Sequence, residues 1–471
     1  MSQILEKGKN KVKCQKFTPN ELVQKMLTLI NYDNDPMGKT ILENSFGVGN
    51  FLKEIVTRYI EAALIKGVDR EEICKGLERD IYGIELDTVL YNNCVAELNS
   101  ILCLYSIPAV QWNLFNCDAL TLDLKISFDY VIGNPPYISY KEMDRDSRSK
   151  LNKIFKSCSV GKFDYCYAFI EYGIKNLNET GKLVQLIPNN IYKNVFAEKL
   201  RGLLIDHISA IYDYPNQKLF GDALTSVSIF LYNKEDSSDF IYYENVTDKI
   251  KTRVNRHNLG KKWIFAEKYI DKKLGSRFGD FFHASVAVAT LCNNAFIVED
   301  QSINEENLEQ EVLKSAVSPR TLRYGRHVKI IFPYKYEGNR LQHFSEAEFE
   351  AKFPNVTRHL RRFSDKLEKR NSDKKAAWFE YGRSQALAHL NRDKLLISAI
   401  ITNSIEVYRV NTEAIPFSGI YITVLDDRFS LEDAAKILKS EQFYDYIKGI
   451  GVNVNGKSLR ISCVDINNYR F

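Results

Sequence analysis

The segment Asn134-Pro135-Pro136-Tyr137 directly follows the apolar run Phe128–Gly133. A strand must end here, because each proline lacks a backbone donor and fixes its φ angle. A proline also holds the preceding residue extended, so the Asn134 amide oxygen and the Pro135 carbonyl can point into one small space. Two fixed acceptors suit an NH₂ group, and the Tyr137 ring offers a flat surface for stacking. The segment therefore predicts a binding site for an aromatic amine.

A glycine-containing loop precedes this segment in the chain. Glu43 ends a predicted strand, and Gly47 and Gly49 follow before a helical pattern begins. Glycines at such a position let the backbone approach a ligand closely, although a tight turn without a ligand would fit equally well. The loop has no Gly-Lys-Ser/Thr pair, which excludes a phosphate-gripping P-loop. A pocket here suits an adenosine that carries no triphosphate.

Two further acidic residues stand at predicted strand ends. Glu85 closes the segment "GIELD", where it can accept hydrogen bonds from ribose hydroxyls. Asp118, in "FNCDAL", can accept a hydrogen bond from an exocyclic amine. Either residue alone could be a helix cap. Three polar strand ends ahead of Asn134 favour a nucleotide-like pocket.

The elements that must position these residues alternate between short β-type runs and helical patterns from residue 36 to residue 232. This alternation predicts a parallel sheet with crossover helices. We predict strands at 39–44, 80–87, 128–133, 181–188 and 224–234, and the pattern leaves a reversed direction of the last strand open. We predict helices at 51–67 and 88–105. After about residue 245 the alternation stops, while isolated strands such as 394–400 and 419–425 remain.

A chain of 471 residues is too long for one ordinary core. We predict an α/β catalytic domain over residues 1–250, Rossmann-like, with a mostly parallel twisted sheet and helices on both faces. Residues 251–471 are predicted to form a mixed α+β domain. Residues 351–383 contain ten Lys/Arg and four Asp/Glu, and a basic stretch with interleaved aromatics precedes them. Such segments fit a nucleic-acid surface as well as a solvated helix face.

Composition excludes several protein classes. Nine cysteines occur without a Cys-x-x-Cys pair, which favours free thiols and argues against a structural zinc. No apolar run reaches the roughly 18 residues of a membrane helix. The basic N-terminus lacks the apolar core of a secretory signal. We expect a cytoplasmic protein that needs no metal.

These motifs together resemble the amino-group DNA methyltransferases that use S-adenosylmethionine, specifically the adenine-N6 group with gamma-type motif order, as in TaqI-like type II enzymes. "FTPNELVQKML" resembles the N-terminal cofactor motif, "ILENSFGVGNFL" the glycine loop, and "NPPY" the catalytic tetrapeptide. The resemblance assigns cofactor binding to Thr18, Glu43, Ser45, Gly47, Gly49, Glu85, Asp118, Ala119 and Asn134. It assigns catalysis to Asn134, Pro135, Pro136 and Tyr137, with Phe196 packing on the target base.

The resemblance implies methyl transfer from S-adenosylmethionine to N6 of an adenine that is flipped out of double-stranded DNA. The second domain would then read DNA through Arg320, Arg323, Arg326, Arg361, Arg362 and Arg383. The resemblance further implies a restriction-modification role, a separately encoded endonuclease partner and a monomeric state. It also implies a bacterial or archaeal cell, with the protein associated with the nucleoid. Phe46 departs from the family, which commonly has a small cysteine there, and we expect its ring to point into the core.

Two other interpretations remain open. The Asn-Pro-Pro-Tyr motif also serves RNA adenine methyltransferases and protein glutamine methyltransferases, although those need a smaller appendage than the segment after residue 250. A non-enzymatic DNA-binding relative would result if Phe46 closed the cofactor pocket. Cytosine-C5 chemistry is excluded, because the chain has no Pro-Cys nucleophile. The sequence shows no convincing arrangement of nuclease residues, so we expect no fused endonuclease.

Overall fold

The structure is a computed structural model that describes residues 18–220, 224–265, 275–338, 340–454 and 457–471. The chain divides into two compact units, residues 1–270 and residues 271–471. The basic N-terminal segment, residues 1–17, lies outside the described residues. In the part of the chain that the structure describes, no helix has the length and apolar character needed to cross a bilayer.

The first unit alternates strands and helices as the sequence predicts. Its strands are β1 Ile41–Glu43, β2 Ile81–Ile84, β3 Asn113–Phe115, β4 Phe128–Gly133, β5 Leu177–Pro188, β6 Ile208–Gln217, β7 Thr225–Asn233, β8 Phe240–Asn245 and β9 Ile250–Asn255. Its helices are α1 Asn20–Leu29, α2 Asn50–Ile65, α3 Arg70–Asp80, α4 Thr88–Leu104, α5 Arg145–Ile154, α6 Cys166–Lys175 and α7 Glu198–Leu204.

Within the described residues, nine strands form one sheet in the order β3-β2-β1-β4-β5-β7-β6-β8-β9. The strands from β3 to β5 all pair in parallel, whereas β7 is antiparallel to both β5 and β6. From β1 the chain moves outward to β2 and β3, and it then returns to place β4 on the other side of β1. The carboxyl ends of β1 and β4 therefore meet at a topological switch point, where open α/β sheets bind ligands.

Alternating side chains of the strands supply two cores, one on each face of the sheet. Ile41, Ile132 and Val184 pack with the buried residues of α1 to α4. Their chain neighbours Leu42 and Val131 pack with α6 and α7 on the other face. This division follows from the pleat, which points successive side chains in opposite directions. The first unit is thus a Rossmann-like sheet with helices on both faces, which confirms the predicted fold class.

The predicted strand at 128–133 matches β4, and the antiparallel strand at 224–234 matches β7 with slightly shorter bounds. The predicted boundary at residue 250 differs from the structure, because it falls at the first residue of β9. β8 pairs with β9 along its full length and with β6, so this hairpin completes the sheet of the first unit.

The second unit is a mixed α+β fold. One sheet has the strand order Phe282–Val286, Ile420–Val424, Lys394–Ile397, Tyr408–Val410, and another has the order Ile297–Val298, Val328–Ile331, Leu313–Val317, Ala414–Pro416. A two-stranded sheet pairs Tyr334–Glu337 with Arg340–His343, and a three-stranded sheet has the order Ile400–Ile401, Leu459–Arg460, Val452–Asn453. The helices are Phe278–Phe281, Asn293–Phe296, Asp300–Glu305, Pro319–Arg323, Glu346–Lys352, Pro354–Arg361, Ser364–Glu368, Leu431–Lys439, Glu441–Ile450 and Cys463–Asn467.

Candidate active site

The loop after β1 and the loop after β4 are joined by hydrogen bonds at the switch point. The Ser45 hydroxyl donates to the backbone carbonyl of Asn134 over 3.4 Å. The Asn134 amide nitrogen donates to the hydroxyl of Thr18 over 3.1 Å, and Thr18 is buried. The structure therefore brings together residues from three motifs that are up to 116 positions apart.

The glycine loop is tied to the end of β2. The backbone N–H groups of Gly47 and Asp87 each donate to one carboxylate oxygen of Glu85, both over 2.8 Å. Gly47 has a φ of +55°, and a β-carbon built there would have no atom within 4 Å. Open space therefore lies above the backbone of Gly47, beside the half-buried carboxylate of Glu85. This is the surface that a ligand at the switch point would meet.

A different structural constraint requires glycine at position 49. Its φ is +75°, and a β-carbon there would lie 2.2 Å from the sulfur of Cys94 on α4. The position caps the N-terminus of α2 with a left-handed residue, which glycine adopts without strain. Gly49 thus lets α2 begin directly above α4 and shapes the loop from behind.

The Glu43 carboxylate lies inside the protein instead of lining open space. Glu43 is 2% exposed, and one of its oxygens accepts a hydrogen bond from the Leu52 N–H over 3.2 Å. Burial raises its pKa well above the usual range of a glutamate. The contact ties the end of β1 to the first turn of α2, so Glu43 holds the glycine loop in place.

The bulky Phe46 points into the core, as expected. Its side chain is 3% exposed and packs with Tyr91 at a ring distance of 6.0 Å. A β-carbon at Gly83 would lie 2.9 Å from the Phe46 ring, so the absence of a side chain in β2 makes room for it. The departure from the family pattern at this position therefore leaves the space above Gly47 open.

The Asn134–Tyr137 segment is anchored at both ends. Beyond the Asn134 contacts, the Tyr137 hydroxyl donates to the backbone carbonyl of Leu186 on β5 over 2.9 Å. Burial raises the pKa of this phenol well above its usual value. Pro135 is buried, and Pro136 and Tyr137 are half-buried. The ring of Tyr137 is consequently held in one orientation next to the Asn134 loop.

Beneath the tetrapeptide lies a buried polar pair that the sequence analysis missed. Asn44 and Gln185 are 1% and 0% exposed, and the Gln185 amide donates to Asn44 over 3.4 Å. Asn44 donates to the Phe169 carbonyl, and Gln185 is the register partner of Gly133. The signal for this pair was the single polar residue inside the apolar run "KLVQLIP".

The third strand end is connected to the second through a residue that was not predicted. Asn116 donates from its amide to the Glu85 carbonyl over 2.9 Å and accepts from the hydroxyl of Thr88. Asp118 is half-buried and caps the short helix Ala119–Thr121, because its carboxylate accepts from the Leu120 N–H over 3.0 Å. Ala119 is buried below it. Asp118 is thus a helix cap that stands at the carboxyl end of β3.

Phe196 lies on the short helix Val195–Ala197 and is 36% exposed. Its ring packs against the backbone of Gly161, where an added β-carbon would be 2.2 Å away. Its predicted contact with a target base stays a prediction.

The six predicted DNA-contacting arginines fall into two groups. Arg320, Arg323 and Arg326 surround the exposed turn between the helix Pro319–Arg323 and the strand Val328–Ile331, and we call these three the turn arginines. Tyr324 in this turn is 64% exposed. Within the described residues, no carboxylate lies within 4 Å of Arg320 or Arg326, and Arg323 has a loose partner, Glu406, at 3.9 Å.

The other three, which we call the paired arginines, already contact carboxylates. Arg362 lies 2.8 Å from Glu306, and Arg383 lies 2.9 Å from Asp373. Arg361 pairs with Glu350, and its guanidinium lies 4.5 Å from the ring centre of Trp378. These contacts fix the paired arginines within the second unit.

Comparison with known proteins supports the interpretation of the motifs. Residues 70–220 match the model of the Eco57I restriction-modification methylase family. The resemblance to restriction-modification methylases is confirmed. The type II restriction enzyme and methyltransferase RM.Eco57I of Escherichia coli is 26% identical over 62% of this chain, which spans 34% of that protein. The type II methyltransferase M.BstVI of Geobacillus stearothermophilus is 23% identical over 94% of this chain and 87% of its own length.

A similar fold occurs in a solved restriction-modification enzyme. The type IIL restriction-modification enzyme MmeI, solved in complex with DNA, superimposes with a TM-score of 0.61 over 95% of this chain and 64% of its own. The two sequences are 15% identical, so the comparison shows a shared fold. Because MmeI and RM.Eco57I are both considerably longer, the match to these methylases concerns part of each of them.

Proposed function

We propose that this protein is a site-specific DNA methyltransferase that transfers a methyl group from S-adenosylmethionine to N6 of an adenine flipped out of duplex DNA. The observation that carries the proposal is the hydrogen-bonded link between Thr18, Ser45 and Asn134 at the switch point. It brings the Asn134–Tyr137 segment next to the glycine loop, and transfer between two bound molecules requires such a neighbourhood. The names of the relatives, which are type II methyltransferases, agree with it.

The residues of the glycine loop fit S-adenosylmethionine. The adenosine would lie in the open space above Gly47, and the Glu85 carboxylate keeps lone pairs beyond its two backbone hydrogen bonds for ribose hydroxyls. Asp118 and Ala119 would hold the adenine of the cofactor, and Thr18 and Ser45 would line its methionine end. When bound, the cofactor supplies a methyl group on a positively charged sulfur. Glu43 and Gly49 support this site from behind, through Leu52 and Cys94.

The Asn134 loop would make the adenine amine reactive. The N6 lone pair is delocalised into the purine ring and is a poor nucleophile. If the Asn134 amide oxygen and the Pro135 carbonyl accept both N6 hydrogens, the nitrogen moves toward tetrahedral geometry and its lone pair is localised. A strong base is not required, because the N6 proton can leave after the methyl group has been transferred.

The target base must first leave the duplex, which costs a few kcal/mol. The Tyr137 ring, held through its hydroxyl, offers a stacking surface that returns about 1–3 kcal/mol. Pro136 stiffens the approach to this ring. Phe196 is the second aromatic that we assign to the extruded base. Together these groups would hold N6 in a reactive orientation.

The turn arginines are the best candidates for contact with DNA phosphates and bases. Their guanidinium groups are exposed, and an exposed tyrosine stands among them. The paired arginines would give up existing ion pairs in order to reach DNA, so we assign them mainly to the stability of the second unit. A cytoplasmic monomer that protects DNA against a separately encoded endonuclease completes the proposal.

Methylation assays on three acceptors in parallel test the proposal. The purified protein is incubated with radiolabelled S-adenosylmethionine and bacterial duplex DNA, RNA or a protein extract, and methylated nucleosides are identified by mass spectrometry. We expect N6-methyladenine in DNA only. Label in RNA or in glutamine would establish one of the alternative acceptors. A lack of S-adenosylmethionine binding in calorimetry would identify a non-enzymatic relative.

A further inference from the structure

Three apolar side chains project together from the first unit. Val160, Val195 and Phe196 are 57%, 63% and 36% exposed. The Phe196 ring packs against the backbone of Gly161, so the chain neighbours Val160 and Val195 stand at the same edge of this contact. We call the three residues the apolar projection. Exposed apolar clusters of this kind mark binding surfaces more often than isolated exposed residues do.

The apolar projection is held in a defined conformation. The Asn194 side chain accepts from the Phe196 N–H over 3.1 Å, which caps the short helix Val195–Ala197. The buried guanidinium of Arg201 donates to the carbonyls of Ile191 and Asn194, over 2.6 Å and 2.8 Å. A charged group inside the protein that binds loop carbonyls makes this loop costly to deform.

The apolar projection belongs to a segment that runs beside the catalytic tetrapeptide. Ile138 directly follows Tyr137 in the chain, and its carbonyl accepts a hydrogen bond from the Tyr165 N–H over 2.9 Å. The ring of Phe163 lies 5.4 Å from that of Tyr140 in an edge-on arrangement. Residues 163–165 therefore run beside residues 138–140, and Val160 stands three residues before this contact with the chain that follows Tyr137.

Exposed lysines lie close to the apolar projection in the chain, and their positive charge favours DNA as its partner. Lys153, Lys156, Lys162 and Lys199 are exposed, and none of them has an ion-pair partner among the described residues. Unpaired lysines are suited to phosphates. Apolar side chains flanked by basic residues occur in proteins that insert a wedge between base steps of DNA.

We propose that Val160 and Val195 form a wedge that enters the base stack of duplex DNA beside the target adenine and keeps the adenine extruded. This inference rests on the proposed function. The wedge would contribute only while the target base must be unpaired and unstacked. Its contribution should therefore vanish when the target base is already unpaired, because extrusion of such a base costs least.

The test uses the double variant Val160→Ser/Val195→Ser and duplex oligonucleotides that carry the methylated sequence, mapped first in DNA modified by the wild-type protein. One duplex is fully paired, and in the other the target adenine faces an abasic site. On the paired duplex we expect the single-turnover rate of methylation to fall by about tenfold. On the abasic duplex the variant should stay within about twofold of the wild type.

The matched control is Ile65→Ser/Leu104→Ser, which removes two exposed apolar side chains from the C-terminal ends of α2 and α4, away from the carboxyl edge of the sheet. It should leave both rates unchanged. An unchanged rate of the wedge variant on the paired duplex, or an equal loss on both duplexes at an unaltered melting temperature, would overturn the wedge. If the proposed function itself is wrong, the wild-type protein will methylate neither duplex, and this result is distinct from a failure of the wedge.

Discussion

Gly47 and Gly49 both have positive φ angles, but the space around them differs. Gly47→Ala places a methyl group in the open space, at about 1 kcal/mol of backbone strain. We therefore expect about tenfold weaker binding of S-adenosylmethionine, measured by calorimetry, with a small loss of melting temperature. Wild-type affinity in this variant would mean that the cofactor does not approach the backbone of Gly47.

The matched substitution Gly49→Ala should act mainly on stability. Its β-carbon would meet the Cys94 sulfur at 2.2 Å, and overpacking of this kind costs about 1–3 kcal/mol. We expect a lower melting temperature by thermal denaturation, and partial recovery in Gly49→Ala/Cys94→Ala. If Cys94→Ala does not raise the melting temperature of Gly49→Ala, contact with the Cys94 sulfur is not the cause of the lost stability.

Tyr137→Phe separates the ring of this residue from its hydroxyl. The variant keeps the stacking surface but loses the hydrogen bond to Leu186, at about 1 kcal/mol of stability. We expect a methylation rate within about threefold of the wild type, whereas Tyr137→Leu should lose about tenfold or more. A collapse of the rate in Tyr137→Phe would assign the hydroxyl a catalytic role.

Residue types and order were sufficient to predict that Ser45 and Asn134 follow strand ends, whereas Thr18, which precedes α1, was assigned through the resemblance. They were insufficient for Glu43, whose side chain lies beneath the loop instead of facing the space above Gly47. Which way a strand-end side chain points depends on the packing of α2, which the sequence pattern does not encode. For the same reason the Asn44–Gln185 pair was not foreseen.

At the scale of elements, strands with strong apolar character were predictable and short or polar ones were not. β4 was predicted over its full length, whereas β3 has three residues and an exposed polar neighbour, Asn116. β8 and β9 pair mainly with each other and with β6, and their partly polar sequences resemble a linker. Tertiary pairing therefore decides these strands, and it also extends the first unit past residue 250.

The segment after the tetrapeptide contains two aspartates with opposite pKa shifts. Hydrogen bonds from Ser147 lower the pKa of Asp144, which caps α5, whereas burial raises the pKa of Asp164 to about 6. The charged form of Asp144 therefore stabilises the fold above pH 4, and this contribution is lost as pH falls through its lowered pKa. Asp164 has the reverse effect on stability, because the folded state binds its proton more tightly than the unfolded state. The stability of the fold therefore decreases as pH rises from about 4 to about 6.

The opposite pH dependence of these two aspartates is tested by measuring the melting temperatures of two variants as a function of pH. Asp144→Asn should be less stable than the wild type at pH 7, and the difference should shrink as the pH falls below 4. The difference for Asp164→Asn should move in favour of the variant as pH rises from about 4 to 6. Parallel pH profiles for the two variants would contradict the burial assigned to Asp164.

At the scale of the whole molecule, the contribution of each arginine group to DNA binding can be compared. Replacing the three turn arginines or the three paired arginines removes the same positive charge. Replacing the three turn arginines with glutamine should lower the slope of log affinity for DNA against log salt by about one per lost phosphate contact. The same change in the paired arginines should leave the slope near that of the wild type and lower the melting temperature. The salt dependence is measured by fluorescence anisotropy of a labelled duplex.

The distinction between the two groups is wrong if both triple variants reduce the salt slope equally. Paired and unpaired arginines would then contribute equally to DNA binding. If neither variant changes the slope, the DNA surface lies elsewhere. The sequence predicted a basic second half but could not separate these groups, since Glu306 and Glu350 precede the arginines that they contact by 56 and 11 positions.

The most direct measurement of the central claim is the single-turnover methylation rate of Asn134→Ala on duplex DNA, with the affinity for S-adenosylmethionine measured in the same preparation. The substitution removes the side-chain acceptor for N6 and the contact with Thr18, while the glycine loop and Glu85 stay intact. We predict a rate at least about 100-fold lower with cofactor affinity within about threefold. A rate close to that of the wild type would contradict the role of this loop.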